Sequence, residues 1–344
     1  MEYRKVLEKV IEREDLSYDE TRELFRKIMD GEFTPAQIAG ILVALRMKGE
    51  TTEEIAGAAS AMREKSRKVN LPDSLKEKIV DTCGTGGDLK GTFNVSTTVA
   101  FVLAAGGVPV AKHGNRSVSS KCGSADILEA LGIRIDLSPE DVGRCIEETG
   151  FGFMFAPVFH PAMANVIKPR KELGVRTVFN ILGPLTNPAG AKRQLMGIFD
   201  GELSEKIAGV LSKLGVKKAC IVHGYDGMDE ITICERTKVT ELSNGDIKSY
   251  VIAPEDFGFE RAKIEDIAAA DSLEENKNMI ESILKGEDRS ARKDMVAINA
   301  GFGFYVAGKV DTPSDGIKLS VDLLDSGKPF EVLRKVIEFG NSVG

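Results

Sequence analysis

The sequence predicts an α/β protein: a small all-helical domain plus a larger α/β domain whose central, mostly parallel sheet is flanked by helices. Three observations carry that reading. Over residues 1 to about 70, apolar positions recur every three and four residues behind helix-start signals. From Lys78 onward the chain changes to short apolar runs that each close in a glycine-rich turn and open a helix. Between Pro161 and Pro188 it returns to a proline-punctuated helical character, which can join the first layer and makes the small domain discontinuous.

The elements follow in order. Ser17 with Glu20, Thr34 with Gln37 and Thr51 with Glu54 each fit a capping box. Pro35 suits a first helical position, and Gly31 and Gly49 suit helix ends. Leu71-Pro72 breaks the helical series. Strands are expected at 79–81, 108–111, 153–155, 195–198 and 219–222, with helices between them. Asn244-Gly245 separates β-prone segments at 237–242 and 247–252 and predicts a type I′ hairpin. Helical periodicity resumes near Ser272. No internal repeat interrupts this order.

With 344 residues the chain can bury a large core, which excludes a small disulfide- or metal-folded module. Its 46 basic and 53 acidic residues give a net charge of -7, so no nucleic acid is expected as a partner. Five scattered cysteines without CxxC pairing read as reduced thiols. The first twenty residues lack a signal-like apolar stretch and no run reaches membrane-spanning length, so a cytoplasmic protein with no membrane contact is expected. Only His113, His160 and His223 can supply an imidazole.

Four clusters carry chemistry. The first runs from Asp81 through Gly84-Thr85-Gly86-Gly87-Asp88 to Thr92, Asn94, Val95, Ser96 and Thr97, ahead of an apolar helix. Glycines there let backbone N–H groups converge on phosphate oxygens, and Asn94 or Ser96 can cap the helix whose dipole favours anions. The spacing is neither a Walker loop nor a GxGxxG dinucleotide turn. The second cluster, Lys112-His113-Gly114-Asn115-Arg116 with Ser117, Ser119, Ser120 and Ser124, follows the next strand, where ligands bind in open α/β sheets. Lys112 and the hydroxyls can hold phosphate, leaving Asn115 to orient a smaller polar partner. The third joins His160 to Arg170, whose planar fork suits a carboxylate. The fourth, Asp229-Glu230, is an acidic pair able to hold Mg2+ beside phosphates.

With these clusters in order, the chain closely resembles the anthranilate phosphoribosyltransferases, within the nucleoside phosphorylase and phosphoribosyltransferase superfamily. The likeness covers nearly the whole length. Its most specific passages are Gly84-Thr85-Gly86-Gly87-Asp88, Asn94-Val95-Ser96-Thr97, Lys112-His113-Gly114-Asn115-Arg116 and the run from Gly174 to Pro188. The resemblance implies transfer of phosphoribose from 5-phosphoribosyl 1-pyrophosphate (PRPP) to the amine of anthranilate, with Mg2+, in tryptophan biosynthesis. It also implies a homodimer through a helical domain of residues 1–72 with about 165–190, beside an α/β domain of 73–164 with about 191–344.

Carried onto this sequence, the PRPP positions are Gly84, Gly87, Asp88, Thr92, Asn94, Val95, Ser96, Thr97, Lys112, Asn115, Ser119, Ser120 and Ser124. Anthranilate positions are Gly84, Asn115, Arg170 and His160, and the metal positions are Ser96, Asp229 and Glu230. Lys112 would stabilise the departing pyrophosphate, and His113 would position a group or accept a proton. Many members carry a basic residue where this chain has Ala164. Two rivals remain: a pyrimidine nucleoside phosphorylase, which would lack the magnesium-type acids, and a non-catalytic nucleic-acid-binding paralogue, which would need a basic groove.

Overall fold

The structure is a computed structural model that describes residues 2–87, 90–116 and 122–343. Helices α1 (Tyr3–Ile11), α2 (Tyr18–Met29), α3 (Pro35–Lys48) and α4 (Thr52–Lys65) come first. The three capping boxes close as their residue types dictate. Ser17, Thr34 and Thr51 each accept the backbone N–H three residues on, and Glu20, Gln37 and Glu54 accept the cap's own N–H. Glu54 is also a buried junction, 1% exposed: it accepts Leu16 N–H at 2.9 Å and pairs with Lys48 Nζ at 2.9 Å.

After the short α5 (Asp73–Lys76) the sheet begins. In chain order come β1 (Val80–Gly84), α6 (Val95–Ala105), β2 (Val110–Gly114), α7 (Ser124–Ala130), α8 (Pro139–Thr149) and β3 (Phe151–Phe155). Next are the short α9 (Ala156–Phe159), α10 (Ala164–Leu173) and α11 (Phe179–Leu182), then β4 (Arg193–Gly197), α12 (Ser204–Lys213) and β5 (Lys218–Gly224). The hairpin β6 (Thr237–Ser243) and β7 (Asp246–Ile252) turns at Asn244 (φ 50°) and Gly245 (φ 99°), as a type I′ turn requires. Helices α13 (Leu273–Leu284), α14 (Ala291–Ala307), α15 (Pro313–Ser326) and α16 (Lys328–Ser342) complete the fold.

The seven strands lie in the order β3-β2-β1-β4-β5-β6-β7; the first five are parallel and the hairpin is antiparallel. Successive residues serve opposite faces. In β4 and β5, Leu195, Cys220 and Val222 pack with Ile298 and Phe302 of α14, whereas Met196, Ala219 and Ile221 pack with Ile207 and Leu211 of α12. The helical layer lies beyond α12, touching it through α4. Val166, Phe179, Ile181, Leu182 and Leu185 share that layer's core with Leu24, Ile28 and Ile41.

Strand order reverses between β1 and β4, so their carboxyl ends open a crevice of the kind in which α/β sheets bind ligands. Two sequence expectations are corrected here. Thr82 to Gly84 and Lys112 to Gly114 belong to β1 and β2, not to the loops that follow them. Their side chains are consequently more enclosed than a loop would make them. All five cysteines are free thiols, and no helix among the described residues is long and apolar enough to cross a membrane.

Candidate active site

Two glycines let the acidic pair reach the head of the sheet. A Cβ on Gly84, the last residue of β1, would stand 2.5 Å from Asp229 Oδ2. One on Gly197, the last residue of β4, would stand 1.5 Å from the Asp229 carbonyl oxygen. Only hydrogen at both positions allows the Asp229 segment to lie across the two strand ends. There Asp229 Oδ2 accepts the N–H of Gly86 at 2.8 Å, a link between residues 143 apart in sequence. Thr85 completes the turn by donating its N–H to Gly197 O at 3.0 Å and accepting Phe199 N–H on Oγ1 at 3.0 Å.

Lys112 occupies a place the sequence did not indicate. At 2% exposure it is buried in strand β2, between β1 and β3, not extended from a loop, and its Nζ donates to Thr82 O and, at 3.2 Å, to Ser96 Oγ. Burial lowers its pKa, while the charges of Asp81, Cys83, Glu230 and Asp229 draw it back up. The ammonium therefore links Ser96 electrostatically to the acidic pair. Beneath it lies Asp81, fully buried, whose Oδ1 accepts His113 N–H at 3.2 Å. Burial pushes Asp81 up to about 6 against the pull of Asn187 and Lys112.

Around Ser96 the other expected contacts divide. Asn94 sits at the N-cap of α6 without capping it, because its Nδ2 donates instead to Cys122 O at 3.2 Å. Val95 and Thr97 are buried, and Thr97 Oγ1 has no hydrogen-bond partner among the described residues. Thr92 forms an isolated bridge with Ala268. Asn115 is exposed, its Oδ1 taken by Arg116 N–H at 2.8 Å, and Ser124 Oγ donates to Asn115 O at 3.2 Å. Asp88, Ser119 and Ser120 lie outside the described residues.

His113 and His160 face each other, with ring centroids 5.0 Å apart. His113 Nδ1 lies 3.2 Å from Gly183 O, which places its proton on Nδ1 and leaves the lone pair on Nε2. Both Nε2 atoms are buried and have no hydrogen-bond partner among the described residues. Burial pushes His113 down to about 4; burial, then the neighbouring His113 and Lys68, push His160 to about 3. Burial thus favours the neutral form of both rings. His223 is elsewhere, its Nδ1 2.9 Å from Ile198 O. Arg170, half-buried on α10, lies over the Phe179 ring at 5.2 Å, and burial lowers its pKa.

Sequence reasoning missed Gly197 and Phe199, because each matters through a partner far away in the chain. The cue for Gly197 was present: a glycine ends a buried strand. Among the described residues no three His, Cys, Asp or Glu side chains gather as a metal cluster. Ser96, Asp229 and Glu230 are hard oxygen donors, and a cation that takes one or two carboxylates, water and phosphate oxygens fits such a set.

Comparison with known proteins agrees with this geometry. Residues 4–66 match the helical bundle domain of a glycosyl transferase family, and 76–330 match its a/b domain. The anthranilate phosphoribosyltransferase of Persephonella marina is 54% identical, the alignment covering 97% of each chain. That of Aquifex aeolicus is 48% identical, with 99% of each covered. The crystal structure of the Thermus thermophilus enzyme superposes with a TM-score of 0.91 at 45% identity, covering 98% of this chain and 99% of that one. The Saccharomyces cerevisiae enzyme in complex with PRPP and Mg superposes at 0.89 with 28% identity, covering 99% and 98%.

Proposed function

The chain belongs to the anthranilate phosphoribosyltransferase family, and from that premise we propose how its residues share the reaction. The protein transfers the 5-phosphoribosyl group of PRPP to the amine of anthranilate, giving N-(5-phosphoribosyl)anthranilate and pyrophosphate. The observation that carries the reading is the seat of Asp229 on Gly86 N–H, at the crevice between β1 and β4, where its charge acts on the Lys112 ammonium that holds Ser96.

In the transfer, the C1–O bond to pyrophosphate breaks as the C1–N bond forms, and the ribose ring takes on oxocarbenium character. The largest demand is therefore stabilisation of a departing polyanion. We assign the donor to the turn after β1 and the N-terminus of α6, with Gly84, Gly87, Asn94, Ser96 and Thr97 around it. Ser96, Asp229 and Glu230 would hold Mg2+, which when bound supplies positive charge to the pyrophosphate oxygens. Lys112 acts from beneath, orienting Ser96 and adding a buried positive charge. An arylamine is neutral at pH 7 and attacks without prior deprotonation, its surplus proton passing to water once the C1–N bond has formed, so orientation contributes more than base catalysis. Asn115, Arg170 and the paired imidazoles of His113 and His160 would orient the acceptor, with Arg170 on its carboxylate.

We further propose a cytoplasmic homodimer formed through a helical domain of 1–72 with about 165–190, the remainder forming the donor-binding domain. Ile11 on α1 and Met47 on α3, 60% and 72% exposed, are apolar groups such an interface would cover. The assay is direct. Purified protein with Mg2+ and PRPP should abolish anthranilate fluorescence in proportion to enzyme; thymidine phosphorolysis without anthranilate turnover would overturn the reading.

A further inference from the structure

Arg176 lies where the acceptor segment meets the donor turn, and the reaction as described makes no use of it. It is an exposed residue between α10 and α11. Its Nη2 donates to Gly87 O at 2.5 Å, while its guanidinium carbon lies 4.0 Å from the centroid of the Phe199 ring. Its own carbonyl accepts from Arg46 Nη1 of α3. Phe199 is itself anchored, since its N–H donates to Thr85 Oγ1. One side chain thus joins the segment after Arg170, the glycine turn and the exit of β4.

The chemistry of the group suits that junction. A guanidinium can stack its face on an aromatic ring and donate in its own plane at the same time, whereas an ammonium offers no plane. Its partner needs holding: Gly86 and Gly87 both adopt positive φ, 64° and 76°, in a backbone that glycine leaves free to move. A turn ordered before the substrate arrives does not have to be ordered by it.

We propose that Arg176 is a positioning residue for the phosphoribosyl donor, holding the Gly84–Gly87 turn in its binding conformation and tying it to the segment that carries Arg170. The inference rests on the transferase reading and deepens it. Because Arg176 touches the donor turn and neither imidazole nor Arg170, its loss should be felt by PRPP and not by anthranilate.

Steady-state kinetics with each substrate varied in turn test this on the wild-type protein, Arg176→Ala, Arg176→Lys and Phe199→Leu, with thermal melts beside them. Both Arg176 variants should raise the KM for PRPP about tenfold or more, as expected for loss of a charge-assisted hydrogen bond. The KM for anthranilate and the Tm should stay near wild type, and Phe199→Leu should show the same split, less strongly. A PRPP KM in Arg176→Ala within about twofold of wild type, equal rises in both KM values, or full rescue by lysine would overturn the proposal. Wild-type protein that fails to turn over would instead sink the transferase reading, and this inference with it.

Discussion

Asp229 reaches the glycine turn after β1 because nothing larger than hydrogen stands on Gly84 or Gly197, and its carboxylate then holds Gly86 N–H. Asp229→Asn with Glu230→Gln should keep the fold, since the pair is half-exposed, while activity at limiting Mg2+ falls by about a hundredfold or more. Titration of rate against Mg2+ measures this, and a double variant as active as wild type would make the pair merely solvated. The buried histidines give a second expectation. An unfolded chain has ordinary imidazoles near 6.5, so between about pH 6.5 and 4 it binds two protons that His113 and His160 refuse in the folded state. Asp81 opposes them by taking one proton in the folded state over about pH 4 to 6. The balance leaves more protons on the unfolded chain, so stability present above pH 6.5 is lost on acidification. Thermal melts should show Tm falling from pH 7 to 5, and His113→Asn with His160→Asn should flatten that slope; an unchanged slope contradicts the burial argument.

At the scale of elements, local signals and long-range placement part company. Ser17, Thr34 and Thr51 could be read as caps because box and helix lie within four residues, and the Asn244-Gly245 turn because its chemistry is complete in two. Lys112 could not be read correctly, since its burial depends on β2 lying between β1 and β3, and strand order is not written in any short window. The same holds for Asn94, whose amide goes to Cys122 rather than to the cap. Glu54 extends the contrast. As a capping residue alone its loss would cost about 1 kcal/mol, but removing the carboxylate also orphans the Leu16 N–H and leaves Lys48 to Asp15 and Gly49 O alone. Glu54→Ala should therefore destabilise by about 2 kcal/mol or more in denaturant melts, against about 1 kcal/mol for Thr51→Ala. Equal losses would reduce Glu54 to a cap.

For the whole molecule, the helical layer shares one core with a face of the sheet and α12, while β1 and β4 lie side by side where the strand order reverses. The sheet and its helices set the glycine turn, Ser96 and the acidic pair; the helical layer carries Arg170 and the segment after it. Alternating helix and strand signals made that plan legible in the sequence, whereas the packing of Asp229 on strands far from it in the chain required the fold. The central claim is that this crevice joins a ribose carbon to an amine nitrogen. The most direct measurement is NMR of the product formed from 13C1-labelled PRPP and 15N-labelled anthranilate. A one-bond carbon–nitrogen coupling that grows with enzyme is the predicted result; C1 bonded only to oxygen, with the labelled amine unchanged, would contradict it.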